Sequence, residues 1–465
     1  MNAIWQHLTL TTINTRQWRQ GSLMWRSLGF LRQWRQGSWL LQWHQEIGVV
    51  LLMAIFVLAP FVPNTLTGFL AAACGGFWLL LTLSDDLKTS RFSPIYLLVS
   101  LFWGITVMAT VLSPVRMAAV LGLAKMTLYL FVFALAERVI RSPRWRSRLI
   151  TVYLHIALIV SIYGVRQKMF GAEALATWVD PTSTTAEEVR VYSYLGNPNL
   201  LAAYILPALI FSLCALVAWQ SWGAKLLAAT MLVIHCACMY WTGCRGAWIG
   251  LVLAIFVMAI MTLYWLLPYL PSFWQIWIFP LTISTIFGVV FLGILWVAPL
   301  RNRALSVFSG RADSSNNFRI NVWEAVQAMI RKRPVLGIGP GNAAFNQIYP
   351  LFQKPNFNAL SSYSIYLETL VETGSVGFAC LIWLIALIFQ QGWVQLQKLR
   401  RLQSREVWWL MGAIATIIGL LTHGFVDTVW YRPEVNTLWW LMVAIVASYY
   451  RQTSTVEEAA SLNSE

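Results

Sequence analysis

Charge is scarce in this sequence. Asp, Glu, Lys and Arg together make up 11% of 465 residues, while 58% are hydrophobic. A soluble domain carries about a quarter charged residues, enough to coat its surface. This chain cannot cover a water-facing surface of its size, and lipid is the solvent that fits. Acidic residues are scarcer still, 18 against 33 Lys and Arg, for a formal net charge of +15. Such an excess can signal nucleic acid. Here the cations sit mostly between apolar stretches, where membrane topology puts them, so nucleic acid is not an expected partner.

Motifs that carry chemistry are sparse as well. No P-loop, HExxH or nucleophile elbow occurs. The six cysteines (74, 214, 236, 238, 244 and 380) fall almost entirely inside apolar runs. Cys236-Ala-Cys238 has neither a second pair nor a nearby carboxylate, so small buried hydrophobes are expected there. His423 and Asp427 are four apart but lack a third ligand, and no metal is expected. Residues 1–46 lack the compact apolar region of a cleavable signal.

What the chain does have is long apolar runs. They lie at roughly 47–63, 66–83, 94–112, 117–136, 149–166, 199–218, 225–242, 246–267, 277–298, 365–389, 407–423 and 434–450. Each is long enough to span a bilayer. The expected fold is all-α: a polytopic membrane bundle of about 12 transmembrane helices with a long helical periplasmic loop between helices 9 and 10. In domain terms, residues 47–298 hold helices 1–9, 299–364 the loop, 365–450 helices 10–12, and 451–465 an acidic tail.

Residues 1–46 repeat Arg-Gln-Trp-Arg-Gln-Gly-Ser at 16–22 and 32–38. Interleaved Arg and Trp suit the headgroup region of an anionic leaflet, and membrane lipids are the expected partner. A disordered basic tail is the other reading. Five arginines lie within 137–148, and Lys398, Arg400, Arg401 and Arg405 form a second basic turn. By the positive-inside rule these face the cytoplasm, which places both termini there, in the inner (plasma) membrane, with 299–364 outside.

Long ordered loops usually carry function. Residues 317–330 read as an amphipathic helix with Arg319 and Trp323 four apart on one face, ended at Arg331-Lys-Arg-Pro334. Gly337-Ile-Gly339-Pro-Gly341 follows, without the strand and helix of a dinucleotide site, and a tight turn is the expected reading. Arg245 sits on the short outer turn between the seventh and eighth runs. It is a natural bidentate partner for phosphate or carboxylate, or else an anchor at the interface. Glu368 and Glu372 share a helix face at the mouth of the tenth run and could do acid–base work. Glu372 and Lys125, counted at a similar depth, could instead form an ion pair. Asn197 or Asn199 is the candidate cap of the sixth run, and Arg432 opens the last one.

Together these pieces resemble the O-antigen ligase and polymerase superfamily over roughly residues 190–450. The likeness rests on Asn-Pro-Asn-Leu-Leu-Ala at 197–202, Arg245-Gly246, the string Arg319…Trp323…Pro334…Gly337…Gly339, and Tyr366-Leu-Glu368…Glu372-Thr-Gly374. Within it, the Trp-rich start and Ser362-Tyr-Ser-Ile-Tyr-Leu-Glu368 look most like cyanobacterial IctB-type proteins, described as inorganic-carbon (bicarbonate) transporters. The resemblance implies no cofactor and two alternative ligands, bicarbonate or a polyprenyl-pyrophosphate-linked glycan. The ligases are metal-independent glycosyltransferases acting at the outer membrane face. Their two key arginines map onto Arg245 and Arg319, with Lys125 an added cation. Asn199, Trp323, Glu372 and Arg432 would be supporting groups. Their key histidine maps onto Tyr363, and Glu368 is the other catalytic candidate. A phenol of pKa ~10 is a poor base near neutrality compared with imidazole at ~6.5.

The topology is testable with an impermeant thiol reagent on intact cells. Ser314→Cys should label from outside and Ser142→Cys should not, and the reverse pattern would invert the assignment.

Overall fold

The computed structural model describes residues 9–10, 35, 37–85, 93–172 and 190–450. Most of the Arg/Trp-rich segment falls outside this set, as do the acidic stretch 173–189 and the tail 451–465. Among the described residues the secondary structure is helical throughout, with no strand.

Fifteen helices matter here. We number them α1 His44–Leu58, α2 Asn64–Ser84, α3 Pro94–Val111, α4 Arg116–Val139, α5 Pro143–Phe170, α6 Pro198–Ala218, α7 Trp222–Thr242 and α8 Arg245–Leu266. There follow α9 Ser272–Trp296, α10 Ala298–Phe308, α11 Ser314–Lys332, α12 Asn342–Ile348, α13 Ile365–Arg401, α14 Val407–His423 and α15 Pro433–Ser448. Nine of them are long and apolar enough to cross a membrane: α2 to α9 and α13. The remaining three apolar runs form the shorter helices α1, α14 and α15, of 15, 17 and 16 residues. At ~1.5 Å per residue these reach about 22–26 Å, against about 30 Å of hydrocarbon, so the described residues give nine spans by length where twelve were expected.

α6 is the axis of the bundle. Leu200 to Phe211 is buried without interruption, because the helix is apolar on every face and packs against α5, α7, α14 and α15. Pro207 interrupts its ladder, and the carbonyl of Tyr204 takes a hydrogen bond from the Tyr153 hydroxyl at 2.6 Å. The carbonyl that Pro207 leaves without its helical donor is that of Ala203, one residue earlier. α9 is the opposite case, with no buried residue along its length.

The two ends of the bundle differ chemically. One end gathers the basic turns. Arg138 grips Asp85 through two bonds of 2.5 and 2.6 Å, and Arg141 grips Glu137 at 2.9 Å. Arg146 bonds Glu406 at 2.5 Å and lies 3.8 Å over the Tyr449 ring, joining the 137–148 turn to the 398–406 turn. The other end carries α10 to α12. Val322, Val326, Met329, Ile338, Phe345 and Tyr349 form a small apolar core of their own there.

The glycine string is the strap that fastens this second core to the bundle. α13 breaks at Gly374, whose φ of 67° and ψ of −167° belong to glycine alone. The strap pairs with the break. Ile338 N–H bonds the Val371 carbonyl at 2.8 Å and Gly339 N–H bonds Glu372 O at 3.0 Å. In return, Ser375 N–H bonds the Pro334 carbonyl at 2.7 Å. On its other side the strap lies on α4. A side chain on Gly122 would come within 1.9 Å of Pro340 O, and the Ser113 hydroxyl bonds Ile338 O at 2.5 Å. The turn falls just before the string, at 334–336, while the string itself is a bent strap whose glycines serve close backbone approach.

Gly374→Ala should consequently detach the strap. The added Cβ would sit 2.2 Å from the Val335 carbonyl carbon. The backbone conformation alone costs about 1–3 kcal/mol for a residue with a side chain. Thermal unfolding in detergent should fall by several degrees relative to wild type. Gly104→Ala, with open space at its Cβ position, should leave it unchanged.

Candidate functional site

At the end that carries α10 to α12, four chain segments converge on one polar cluster. The first is the entry to α6. Asn197 is the cap, its Oδ1 accepting the N–H groups of Asn199 at 2.8 Å and Leu200 at 3.3 Å. This leaves the Asn199 side chain free to bridge. Its Nδ2 donates to Asp427 Oδ2 at 2.6 Å, and its Oδ1 accepts from Arg190 Nη2 at 2.7 Å. Arg190 Nε also donates to the Thr242 carbonyl at 2.7 Å, three residues before Arg245.

The second segment is the turn into α8. Gly243, at φ 60°, ends α7, and α8 begins at Arg245. Gly246 and Gly250 let α8 lie on α14 at near backbone contact. A Cβ on Gly246 would meet Val426 Cγ2 at 2.6 Å and His423 Cδ2 at 3.0 Å, and one on Gly250 would meet Gly419 O at 2.4 Å. That approach brings Cys244 Sγ to 3.3 Å from His423 Nε2 in a fully buried contact, while His423 Nδ1 has no hydrogen-bond partner among the described residues.

Arg245 points the other way, towards the third segment, α10 and α11. Its guanidinium donates to Ser306 Oγ at 2.6 Å, Asp313 Oδ1 at 3.0 Å, Asp313 Oδ2 at 3.3 Å and Asn316 Oδ1 at 3.4 Å. Asp313 is also the cap of α11, accepting Asn316 N–H at 2.9 Å. Partial burial opposes ionisation of its carboxyl, but the Arg245 hydrogen bond and the Asn316 N–H win, and Asp313 lies below its ordinary range. Arg319, on α11, donates to Val426 O at 2.8 Å and to Ser315 Oγ at 2.6 Å. It thereby holds the backbone beside Asp427.

The fourth segment carries Tyr363. Trp323 Nε1 donates to the Ser362 carbonyl at 3.0 Å, and Glu368 accepts Ser362 N–H at 2.8 Å. Clamped on both sides, the turn holds Tyr363 at φ 52°, with its ring edge-on to Phe318 at 5.4 Å. Burial pushes the phenol up to about 12, with the negative charge of Asp427 adding and Arg319 opposing. Tyr363, Arg319 and Asp427 are thus near neighbours. Arg432 lies 5.7 Å over the Tyr431 ring on the same side.

The structure brings together Arg245, Arg319, Trp323, Tyr363, Asn199 and Glu368. Glu368 has a positioning role, since it holds the Tyr363 turn. Lys125 and Glu372 form no ion pair with one another. Lys125 is exposed on α4 with no ion pair among the described residues, whereas Glu372 accepts Gly341 N–H at 2.6 Å within the strap. The expected ion pair does not form because the Glu372 carboxylate is taken by the strap. Sequence reasoning missed Arg190 and Asp427 as members of the cluster. Their signal is weak, a lone cation in a loop and an acid just beyond a helix end. Among the described residues no group of three His, Cys, Asp or Glu side chains stands close enough to hold a metal. The arrangement can bind an anion on guanidinium groups and offers one carboxylate, Asp427, whose Oδ1 has no hydrogen bond among the described residues.

Comparison with curated protein sequences finds no match. A family model described as O-Antigen ligase matches residues 229–382, a third of the chain, from within α7 to within α13. That stretch includes Arg245, Arg319, Trp323, Tyr363 and Glu368. Over it the chain is similar to the O-antigen ligases, and with its long apolar helices it is an O-antigen ligase-like, multi-pass membrane protein.

Proposed function

We propose that the protein transfers glycan from a polyprenyl-pyrophosphate donor to an acceptor hydroxyl at the outer face of the inner membrane. One observation carries this reading: Arg245 already holds an anion in its planar fork, the Asp313 carboxylate, with Arg319 on the next helix face. A pyrophosphate offers the same fork more charge and more acceptor oxygens. The donor's two phosphates would be held by Arg245 and Arg319, with Arg190 behind them through Asn199.

Tyr363 cannot serve as the base, since its phenol stays protonated near neutrality. Asp427 is the better candidate. The acceptor oxygen would bond the anomeric carbon as the bond from that carbon to the pyrophosphate oxygen breaks. The hydroxyl proton would pass to Asp427 Oδ1, and polyprenyl pyrophosphate would leave with the electron pair.

A second reading, small-anion movement of the IctB kind with bicarbonate as ligand, draws on the same arginines and on the phenol at position 363. It needs anion binding but no base. The two diverge at single residues. In proteoliposomes, Arg245→Ala and Arg319→Ala should each weaken donor binding by roughly one to two orders of magnitude, the loss of a charge-assisted hydrogen bond of about 1.5–3 kcal/mol. Lysine should restore part of this, and the double variant should be less than additive. Asp427→Asn should keep donor binding and abolish transfer, and Tyr363→His should raise transfer. Labelled-bicarbonate flux unaffected by all four variants would reject the second reading. Unchanged donor binding in both alanine variants would reject the first.

A further inference from the structure

The opposite end of the molecule holds a second basic site, independent of the function proposed above. A cavity of about 360 Å³ opens there between the ends of α8 and α13, lined by Tyr264, Pro268, Gln397, Arg400, Arg401 and Gln403. Two of its six lining residues are arginines, two are amides, and none is acidic. Arg400 lies 4.1 Å over the Tyr264 ring, which fixes its guanidinium at the cavity wall. Neither Arg400 nor Arg401 forms an ion pair among the described residues. The nearest carboxylate in sequence, Glu406, is taken by Arg146 at 2.5 Å.

The depth of the cavity is marked by aromatics. Tyr264 packs on Trp393 at 4.9 Å, and Trp265 packs on Tyr269 at 5.9 Å and on Trp408 at 5.5 Å. Trp393, Tyr269 and Leu402 are exposed around it. A ring of Trp and Tyr on the outer wall of a membrane bundle sits at headgroup level. Uncompensated arginines in a recess at that level meet lipid phosphate, and basic pockets between membrane helices recognise anionic headgroups. The chain end is shaped for this. Gln403, at φ 52°, turns back after α13; its Nε2 donates to the Arg400 carbonyl at 2.9 Å and its Oε1 accepts from the Tyr269 hydroxyl, which ties the end of α13 beside the recess.

We infer that this recess is a binding site for the phosphate of an anionic membrane lipid, held by Arg400 and Arg401 with Gln397 as a neutral donor. A carboxylate-free pair of guanidiniums favours a singly charged phosphodiester over a zwitterion, whose choline or ethanolamine cation would face the same arginines.

The test uses the full-length protein purified in detergent, with its unfolding temperature followed as lipid is titrated. Phosphatidylglycerol should raise that temperature and phosphatidylcholine should not. The apparent affinity should fall roughly fivefold for each arginine removed, the conversion of about 1 kcal/mol per basic group at a membrane surface. Arg400→Gln with Arg401→Gln should therefore lose most of the response, while Arg144→Gln with Arg148→Gln, on the same end but outside the recess, should keep it. Arg400→Lys with Arg401→Lys should retain a reduced response, which separates lost charge from a damaged helix end. Equal stabilisation of the double glutamine variant, or by phosphatidylcholine, would overturn the site. Stabilisation by millimolar inorganic phosphate equal to that by lipid would overturn the lipid as its source.

Discussion

Backbone groups freed where a membrane helix breaks must find partners in protein, because hydrocarbon offers none. In this fold the demand falls on the break at Gly374, and the strap from Pro334 to Gly341 meets it by exchanging hydrogen bonds with residues 371–376. Much else follows from that contact. The strap can lie there only because Gly122 leaves room on α4. Once anchored, it fixes the end of α11 and, through Glu372 and Gly341, the start of α12. α11 in turn carries Arg319 and Trp323, so the position of the polar cluster depends on a backbone pairing between segments that contain none of its guanidiniums.

A parallel logic governs α8 and α14. Glycine at 246 and 250 is what permits their close approach, and Arg245 is the next residue along. The pairing of Arg with Gly is therefore mechanical as well as chemical. The glycine brings the helix start against His423 and Val426, and the arginine is left facing the loop. Charge balance follows the same division. At the basic end Arg138, Arg141 and Arg146 are matched to Asp85, Glu137 and Glu406, while the cluster under the loop has Arg190, Arg245 and Arg319 with Asp313 and Asp427.

Local signals made much of this legible. Apolar runs marked twelve helical stretches, and all twelve are helices. The amphipathic stretch read over 317–330 is α11, which starts earlier because Asp313 caps it and ends at Lys332 before Pro334. Arg245, Arg319, Trp323 and Tyr363 were legible as a set. What stayed hidden depends on contacts between distant segments. The length of α14 is set by the loop that follows it, and the partner of Glu372 by a strap thirty residues away. The side chain of Asn199 links Arg190 to Asp427, which no pattern along the chain reveals.

Asp313 is at once the first hydrogen-bond acceptor of α11 and the carboxylate in the fork of Arg245. It acts as an internal competitor, tethered at a fixed distance and present at every ligand concentration. An incoming anion has to displace it, and a singly charged one offers the arginine no more than the aspartate already does. Only a ligand with greater charge, or with oxygens that reach Arg319 in the same step, gains from the exchange. On the function proposed above, that resting contact would favour a polyanion over a singly charged ligand, while the Asn316 N–H bond that caps α11 needs no arginine and would stay in place.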